Sequence, residues 1–268
     1  MLTIKKNGLK VSGKSCLTVH PNVLLDEGDV EEVDLLLLTV KAYDTENILH
    51  ELKPYIGDAV LLTLQNGIGN LEAIRSVLPE TKIFLGITTH GVTFVAPGHV
   101  HHAGIGTTKI GDPSAPPGPF INQIAENFTS CGIETAVAKD ILREVWLKAV
   151  INASINPLTA LLGVKNGELL EPQLLEVCRR VCKEAAEVSK HYGFEYEEPF
   201  RAVLEVIRHT AENKSSMLQD VEKGRKTEAE AILGSLVRAG AQKGISTPLL
   251  SFLYRAVLRY EHLSSKVH

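Results

Sequence analysis

The sequence has few cysteines, and neither sign of charge dominates it. Its four cysteines form no CxxC pair, and Cys178 and Cys182 have no neighbouring histidine or third cysteine to complete a zinc site. Reduced thiols in a cytosolic protein are therefore expected, with no bound metal. The net charge is only −4, from 28 Lys and Arg against 32 Asp and Glu residues, and there is no basic run. This pattern disfavours a nucleic acid as partner.

The sequence also lacks the marks of a secreted or membrane protein. The opening MLTIKKNGLKVSG is basic but has no apolar segment of the kind that secretory signals carry. The longest stretch with little charge, 145–164, contains Lys148, Asn152, Asn156 and Pro157, which argues against a membrane span. We therefore expect a cytoplasmic protein with no membrane partner. Its 268 residues suffice for one large domain or two small ones.

Strand and helix patterns alternate up to about residue 139. Leu2–Ile4 and Leu9–Val11 flank Lys-Lys-Asn-Gly and predict a hairpin. Three apolar runs predict buried strands, the first of them covered on both faces: Asp34–Val40, Val60–Leu64 and Lys82–Thr88. Helices between them imply a parallel sheet with helices on its faces. Antiparallel strands are predicted over Gly91–Asp112, then a helix near Pro119–Ser130 and a strand near Ile133–Ala138.

The patterns from about residue 140 onward are almost entirely helical. Helices are predicted over 141–162, 168–192, 197–212, 216–223, 228–243 and 248–264. The change of pattern predicts an α/β fold in which a parallel-sheet domain, residues 1–139, precedes an all-helical domain, residues 140–268.

The segment Trp146–Pro157 is the most informative about function. On a helix, Lys148, Asn152 and Asn156 are four residues apart and form one polar row between apolar neighbours. A helix that is apolar nearly all round is normally buried, and burial lowers the proton affinity of a lysine. Such a lysine suits proton transfer near neutral pH. The alternative is a structural lysine that reaches solvent at a helix end or pairs with Glu144.

Two further polar sites admit a structural interpretation. Thr227-x-x-Glu230 fits a capping box that would include Glu228 in the first helical turn. Ser216-x-x-Gln219 equally fits the start of a short helix.

Polar residues also follow two of the predicted strands. Lys41 and Asn66 occupy the positions where ligands bind in open α/β sheets, and each is either a ligand contact or an ordinary loop residue. Gly104-Ile-Gly106 precedes a strand-like segment rather than a helix, so it is not a phosphate loop. Four histidines crowd one region: His90, His99, His101 and His102. No acidic residue or cysteine accompanies them, which disfavours a metal site.

Several short motifs occur in one order along the chain: Val40-Lys-Ala, Leu64-Gln-Asn-Gly-Ile-Gly, Gly86-Ile-Thr-Thr-His, Lys148-x3-Asn-x3-Asn-Pro, Asn166-Gly-Glu-Leu, Asn213-Lys-Ser-Ser-Met-Leu-Gln-Asp and Thr227-Glu. The lysine–asparagine run and the segment that starts at Asn213 are the most specific. Together the motifs resemble the ketopantoate reductase (2-dehydropantoate 2-reductase) family over essentially the whole chain.

The resemblance implies a Rossmann-type domain, a helical domain and an active site in the cleft between them. It implies reduction of the ketoacid 2-dehydropantoate to pantoate with NADPH, on the route to pantothenate and coenzyme A. Lys148 would donate a proton to the ketone oxygen, and Glu228 would take part in catalysis near the cofactor or the substrate hydroxyl. The implied substrate-binding residues are Asn152, Asn156, Asn166, Asn213 and Ser216. The implied cofactor contacts are Lys41, Asn66, Glu228 and the backbone around Val92.

The sequence departs from the family at its start. Family members open with a strand and GxGxxG, whereas no GxGxxG precedes Lys41 here. The missing part corresponds to one βαβ unit of about 30 residues, so we expect an incomplete Rossmann-type domain that binds NADPH weakly or not at all. Two alternatives stay open: a cofactor-deficient binding or regulatory relative, and a reductase of another branched 2-ketoacid. A homodimer is a further expectation.

Overall fold

Residues 1–25 and 32–264 are described by a computed structural model, and the chain divides into two compact units. The sheet unit consists of Met1–Thr39, Thr45–Leu64 and Ala73–Ile141. The helical unit consists of the chain from Leu142 onward together with two short segments, Val40–Asp44 and Gln65–Glu72. The predicted combination of an α/β fold with a helical C-terminal region is confirmed.

All strands of the described residues lie before residue 138. In chain order they are β1 (Leu9–Gly13), β2 (Leu17–Val19), β3 (Leu35–Leu38), β4 (Val60–Thr63), β5 (Ile83–Thr88), β6 (Gly91–Ala96), β7 (His99–Gly104), β8 (Thr108–Gly111) and β9 (Thr135–Val137). The helices of this part of the chain are α1 (Leu2–Asn7), α2 (Thr45–Ile56), α3 (Asn70–Val77) and α4 (Pro119–Ser130).

A five-stranded sheet, in the order β3-β4-β5-β8-β9, forms the core of the sheet unit. β3, β4 and β5 are parallel, as their apolar runs with intervening helices predict. β4 and β5 are mostly buried, and Leu62 and Phe84 pack with Ile110 and with residues of α4. The expectation that Asp34–Val40 is covered on both faces is wrong, because the side chain of Leu37 is exposed on one face of the edge strand β3.

A second sheet, in the order β2-β1-β7-β6, contains the first strands of the chain. The predicted antiparallel pair around Pro97-Gly98 is β6 and β7. The predicted hairpin at the start is wrong, because Leu2–Asn7 is a helix and the antiparallel partner of β1 is β2. Apolar residues in so short a segment do not distinguish a strand from a helical turn.

The helical unit is built from α5 (Ile141–Leu162), α6 (Pro172–His191), α7 (Pro199–His209), α8 (Ser216–Glu222), α9 (Ser235–Gln242) and α10 (Pro248–Ser264). The largest differences from the predicted helix boundaries are at the starts of α6 and α9. Asn166–Leu170 is a separate 3-10 turn before α6, where Pro172 occupies a first-turn position that tolerates proline. A π-helical segment, Glu230–Gly234, precedes α9 within the predicted helix 228–243.

The long helix α5 runs through the core of the helical unit. Its length and mean hydropathy of 1.3 would suit a membrane span, but 61% of that apolar window is buried inside the protein. Val150, Ala153 and Ile155 of α5 pack in one cluster with residues of α6, α7, α9 and α10. The apolar faces of α5 are therefore occupied by its own neighbours, and the polar residues on it are fixed by a well-packed element.

Candidate functional site

Three polar side chains lie in a row on α5. Lys148, Asn152 and Asn156 are four residues apart in the helix and share one face, as predicted. Asn156 is buried, and the other two are partly buried. Pro157 follows within the helix and has no N–H, so it cannot donate the usual helical hydrogen bond to the carbonyl of Ala153.

The environment of Lys148 favours its neutral form more than water does. Burial lowers the pKa of Lys148 to about 8, and the negative charge of Glu228 opposes this shift. Desolvation penalises an ammonium, whereas a nearby carboxylate supports it. Lys148 is therefore protonated at neutral pH but releases its proton far more readily than an ordinary lysine does, as the pattern of α5 predicts.

Glu228 connects the helices with the two short segments of the helical unit. The residue is only 7% exposed. Its Oε1 accepts a hydrogen bond from the backbone N–H of Ala42 at 3.3 Å, and its Oε2 accepts one from Nδ2 of Asn66 at 3.1 Å. Nζ of Lys41 lies 3.6 Å from Oε2. The carboxylate thus has a backbone donor, an amide donor and an ammonium around it.

Lys41 has a second and closer acidic partner. Its Nζ donates to Oδ2 of Asp220 at 2.7 Å, and the Asp220 side chain is 13% exposed. Burial alone would lower the pKa of Lys41, but Glu228 and Asp220 together outweigh it, so the pKa lies above the ordinary value. Lys41 therefore stays protonated over the physiological pH range.

Hydrogen bonds within the loops hold Lys41 and Asn66 in place. Nε2 of Gln65 donates to the Val40 carbonyl at 2.8 Å and so links the loop after β4 to the loop after β3. Nδ2 of Asn70, at the start of α3, donates to the Asn66 carbonyl at 3.0 Å. The two loops are therefore stabilised by hydrogen bonds from the side chains of Gln65 and Asn70.

Gly67 brings the second loop close to the chain that follows Glu228. Its φ is +90°, and a side chain at this position would overlap the carbonyl of Ala231 in the π-helical segment. Only glycine combines this backbone conformation with so close an approach. The neighbouring Asn66 is thereby held within reach of the Glu228 carboxylate.

Asn166 forms a second polar group in the helical unit. Its Nδ2 donates to Oγ1 of Thr210 at 2.8 Å, and its backbone N–H donates to the Asn213 carbonyl at 3.0 Å. The Thr210 hydroxyl itself donates to the Val206 carbonyl, which fixes it as an acceptor for the amide. The other polar atom of this amide, Oδ1 of Asn166, is buried and has no hydrogen-bond partner. A donor group on a ligand would remove the cost of that unpaired oxygen.

Ser216 is exposed at the first position of α8 and does not cap the helix as predicted. The cap is Ser215, whose Oγ accepts the N–H of Leu218 at 3.1 Å and the hydroxyl of Thr159 at 2.7 Å. Because Ser215 faces the interior, the preceding residue Lys214 and the following residue Ser216 are turned outward.

The predicted capping box at Thr227-x-x-Glu230 is also absent. Oγ1 of Thr227 accepts the N–H of Ala229, as a cap does, but the backbone N–H of Thr227 donates to Glu261 at 2.9 Å. Glu230 instead contacts Arg238 and Tyr254. Glu261 of α10 therefore takes the place that Glu230 has in the predicted capping box. Glu228 is accordingly not part of such a box.

The remaining candidates lie in the sheet unit. Val92 is the second residue of β6 and has an exposed side chain. His102 contacts Ser15 at 2.9 Å and His90 at 3.2 Å. Over residues 1–25 and 32–264, no group of three or more His, Cys, Asp or Glu side chains is arranged to hold a metal ion.

Asp220 is the site residue that the sequence alone does not reveal. It ends the motif that begins at Asn213, and an acid inside a polar motif is the only local signal. Its partner Lys41 is 179 residues away, so no periodicity or spacing predicts the contact.

Comparisons with known proteins point to one family. Residues 140–261 match the family described as Ketopantoate reductase PanE/ApbA C terminal, and residues 1–115 match the one described as Ketopantoate reductase PanE/ApbA. A 2-dehydropantoate 2-reductase from Archaeoglobus fulgidus is 38% identical over 247 residues, which cover 90% of this chain and 80% of that protein.

Two solved structures share the fold of this chain. The PanE/ApbA family ketopantoate reductase from Ralstonia eutropha JMP134 has a TM-score of 0.89 and 26% identity, with 98% of this chain and 88% of that chain covered. D-mandelate dehydrogenase in ternary complex with NADH and anilino(oxo)acetate has a TM-score of 0.88 and 26% identity, with the same coverage of 98% and 88%.

Proposed function

This chain belongs to the ketopantoate reductase family, and from that premise we propose that it is a 2-dehydropantoate 2-reductase that produces pantoate with NADPH. The observation that carries the proposal is Lys148, a partly buried lysine with a pKa of about 8 in line with two amides on α5. Reduction of a ketone needs a proton for the oxygen as well as a hydride for the carbon. An acid with a pKa near the working pH is suited to that proton transfer.

Lys148 is the proposed catalytic acid. Its ammonium donates a proton to the ketone oxygen as the carbonyl carbon is reduced, and the resulting neutral amine takes up a proton from solvent before the next turnover. The Glu228 carboxylate supports the ammonium form electrostatically, which keeps the pKa from falling further under burial. Without that support, the pKa of Lys148 would be lower and a smaller fraction of the lysine would be protonated at neutral pH.

The proposed substrate site combines the amides of α5 with the polar group around Asn166. Asn152 and Asn156 present donors and acceptors beside Lys148, and they suit the carboxylate and hydroxyl groups of a hydroxylated ketoacid. The unpaired Oδ1 of Asn166 suits a hydroxyl donor. Asn213 and Ser216 are proposed to complete this pocket.

The family uses a nicotinamide cofactor, and we propose NADPH. Lys41 and Asn66 lie just after two adjacent parallel strands, where nucleotides bind in open α/β sheets, and the protonated Lys41 fits an anionic ligand. When bound, the cofactor supplies the hydride for the ketone carbon. Lys41, Asn66, Glu228 and the backbone around Val92 are the residues proposed to hold it.

The direct test is NADPH oxidation by the purified protein in the presence of 2-dehydropantoate, followed by absorbance. Lys148→Ala is expected to lower kcat by about 10²-fold or more, the usual range for loss of a general acid. Parallel assays with NADH report which cofactor is preferred.

Lys190→Ala serves as the matched control, since this lysine forms an exposed ion pair with Glu195 outside the site. It should leave kcat unchanged. If Lys148→Ala forms pantoate at the wild-type rate, Lys148 is not the catalytic acid. The absence of any turnover by the wild-type protein would overturn the proposed function.

A second candidate is the reduction of another 2-oxo acid. The similarity to D-mandelate dehydrogenase, at 26% identity over 98% of this chain, favours this class as the alternative. Values of kcat/KM for 2-dehydropantoate, a branched aliphatic 2-oxo acid and an aromatic 2-oxo acid would decide between them.

We also propose a cytoplasmic location. The homodimer stays a prediction, which a measurement of mass in solution would test.

A further inference from the structure

Lys41 lies between two carboxylates at unequal distances. Its Nζ is 2.7 Å from Oδ2 of Asp220 and 3.6 Å from Oε2 of Glu228. The Asp220 and Glu228 side chains are 13% and 7% exposed, so water screens neither of them well. Lys148 is the second ammonium that interacts electrostatically with Glu228. Two cations therefore interact with one buried carboxylate, and Asp220 is the nearer acidic partner of Lys41.

We propose that Asp220 is a positioning residue that holds the Lys41 ammonium away from Glu228, so that the Glu228 carboxylate remains available to support Lys148. This inference deepens the proposed function and rests on it for its catalytic meaning. Asp220 acts through Lys41 and Glu228 and is assigned no contact with substrate.

The charges explain why this arrangement matters. Two ammonium groups and two carboxylates balance, with Lys41 directed to Asp220 and Lys148 supported by Glu228. If Asp220 loses its charge, Lys41 is left with Glu228 as its nearest acidic partner, and attraction draws the ammonium closer from 3.6 Å. Glu228 is then more strongly paired with Lys41, and its electrostatic support of the ammonium form of Lys148 weakens.

Neighbouring groups do not replace Asp220. Tyr43 and Asp44 follow Lys41 in the chain, and Lys226 lies over the Tyr43 ring at 4.4 Å from its centroid. The Asp44 charge opposes ionisation of the Tyr43 hydroxyl, whereas Lys41 favours it. Lys226 is a further cation beside the set, so removal of the Asp220 charge leaves an excess of positive charge there.

The position of Asp220 is fixed by its helix. Ser215 caps α8, and Met217, Leu218 and Val221 are buried on its inner side. The Asp220 carbonyl accepts the N–H of Arg225 at 2.8 Å, which closes the turn after the helix. Asp220 therefore presents its carboxylate from a packed element.

The test is Asp220→Asn in the full chain, with Glu222→Gln as the matched control. Glu222 lies on the same helix and forms its 2.6 Å ion pair with Lys214 rather than with Lys41. Asp220→Asn should lower the pKa of Lys148 by roughly half a unit, a modest share of the shift that a directly neighbouring charge produces. The decline of kcat at alkaline pH then begins at lower pH, whereas Glu222→Gln leaves the profile unchanged. Asp220→Glu should restore it in part.

A second measurement does not depend on catalysis. The rate at which acetic anhydride acetylates Lys148, read by mass spectrometry, follows the neutral amine and should be roughly threefold higher at pH 7 in Asp220→Asn. An acetylation profile of Lys148 identical to that of the wild type, in a variant that binds and folds normally, would overturn the positioning role. If the wild-type protein reduces no ketoacid but the acetylation profiles differ, the proposed function fails and the positioning role stands.

Discussion

At the scale of single residues, the candidate site depends on opposing effects on two lysines. Burial disfavours the charge of both Lys41 and Lys148, but the outcome differs because their acidic neighbours differ. Lys41 has two close carboxylates and keeps its proton firmly. For Lys148, burial outweighs the favourable influence of Glu228, and its pKa falls to about 8. The same residue type is thereby made a fixed cation at one position and a proton donor at the other.

The pH dependence of the reaction follows from this difference. Only the ammonium form of Lys148 donates a proton, so kcat for ketone reduction should be constant at neutral pH and fall as pH rises through about 8. Alcohol oxidation needs the neutral amine and should rise over the same range. Both profiles are measured by steady-state kinetics at saturating substrate. A decline that begins only near the ordinary lysine pKa, about 10.5, would show that Lys148 is not the group observed.

At the scale of secondary-structure elements, the loop after β4 gains its shape from backbone conformations and contacts that glycine permits. Gly67 and Gly69 both have positive φ, +90° and +93°. Their surroundings differ, since a side chain at Gly67 would overlap the Ala231 carbonyl and a side chain at Gly69 would have no neighbour within 4 Å. Substitutions at these two glycines therefore distinguish the cost of an unfavourable backbone conformation from the cost of a steric clash.

Gly67→Ala should destabilise the protein by about 2 kcal/mol or more, because it combines an unfavourable φ with a clash. Gly69→Ala should cost only about 1 kcal/mol, from the backbone alone. Urea denaturation measures both. Gly67→Ala should also lower kcat, because Asn66 is moved away from Glu228. Equal losses of stability in the two variants would contradict the close approach to Ala231.

The elements themselves show what the sequence could predict. The polar row of α5 was predictable, because a period of 3.6 residues within one helix is a local property. The short helix Leu2–Asn7 was not, because six residues carry too little periodicity to exclude a strand. The cap at Ser215 rather than Ser216 differs by one position, and Glu261 replaces Glu230 beside Thr227 through a contact 34 residues away. Local rules identify such elements but not the distant side chains that complete them.

At the scale of the whole molecule, the helical unit is discontinuous in sequence. Val40–Asp44 and Gln65–Glu72 belong to it, although both lie within the half of the chain that supplies the strands. A boundary drawn from the change of pattern near residue 140 does not reveal this, because short loops have no periodicity of their own. The candidate site of Lys41, Asn66 and Glu228 exists only because these segments join the helices.

Ligand binding should therefore protect separated parts of the sequence at the same time. With the product pantoate at a concentration near 100 times its Kd, binding stabilises the bound state by up to about 2.7 kcal/mol. Hydrogen exchange should then slow in peptides that cover 65–72 and in peptides that cover 210–222, which are far apart in the chain but belong to one unit. Peptides from β1 and β2 should be unaffected and provide the internal control. Protection confined to the helical half alone would contradict this coupling between the two segments and would limit the proposed role of the Asn66 loop to holding the cofactor.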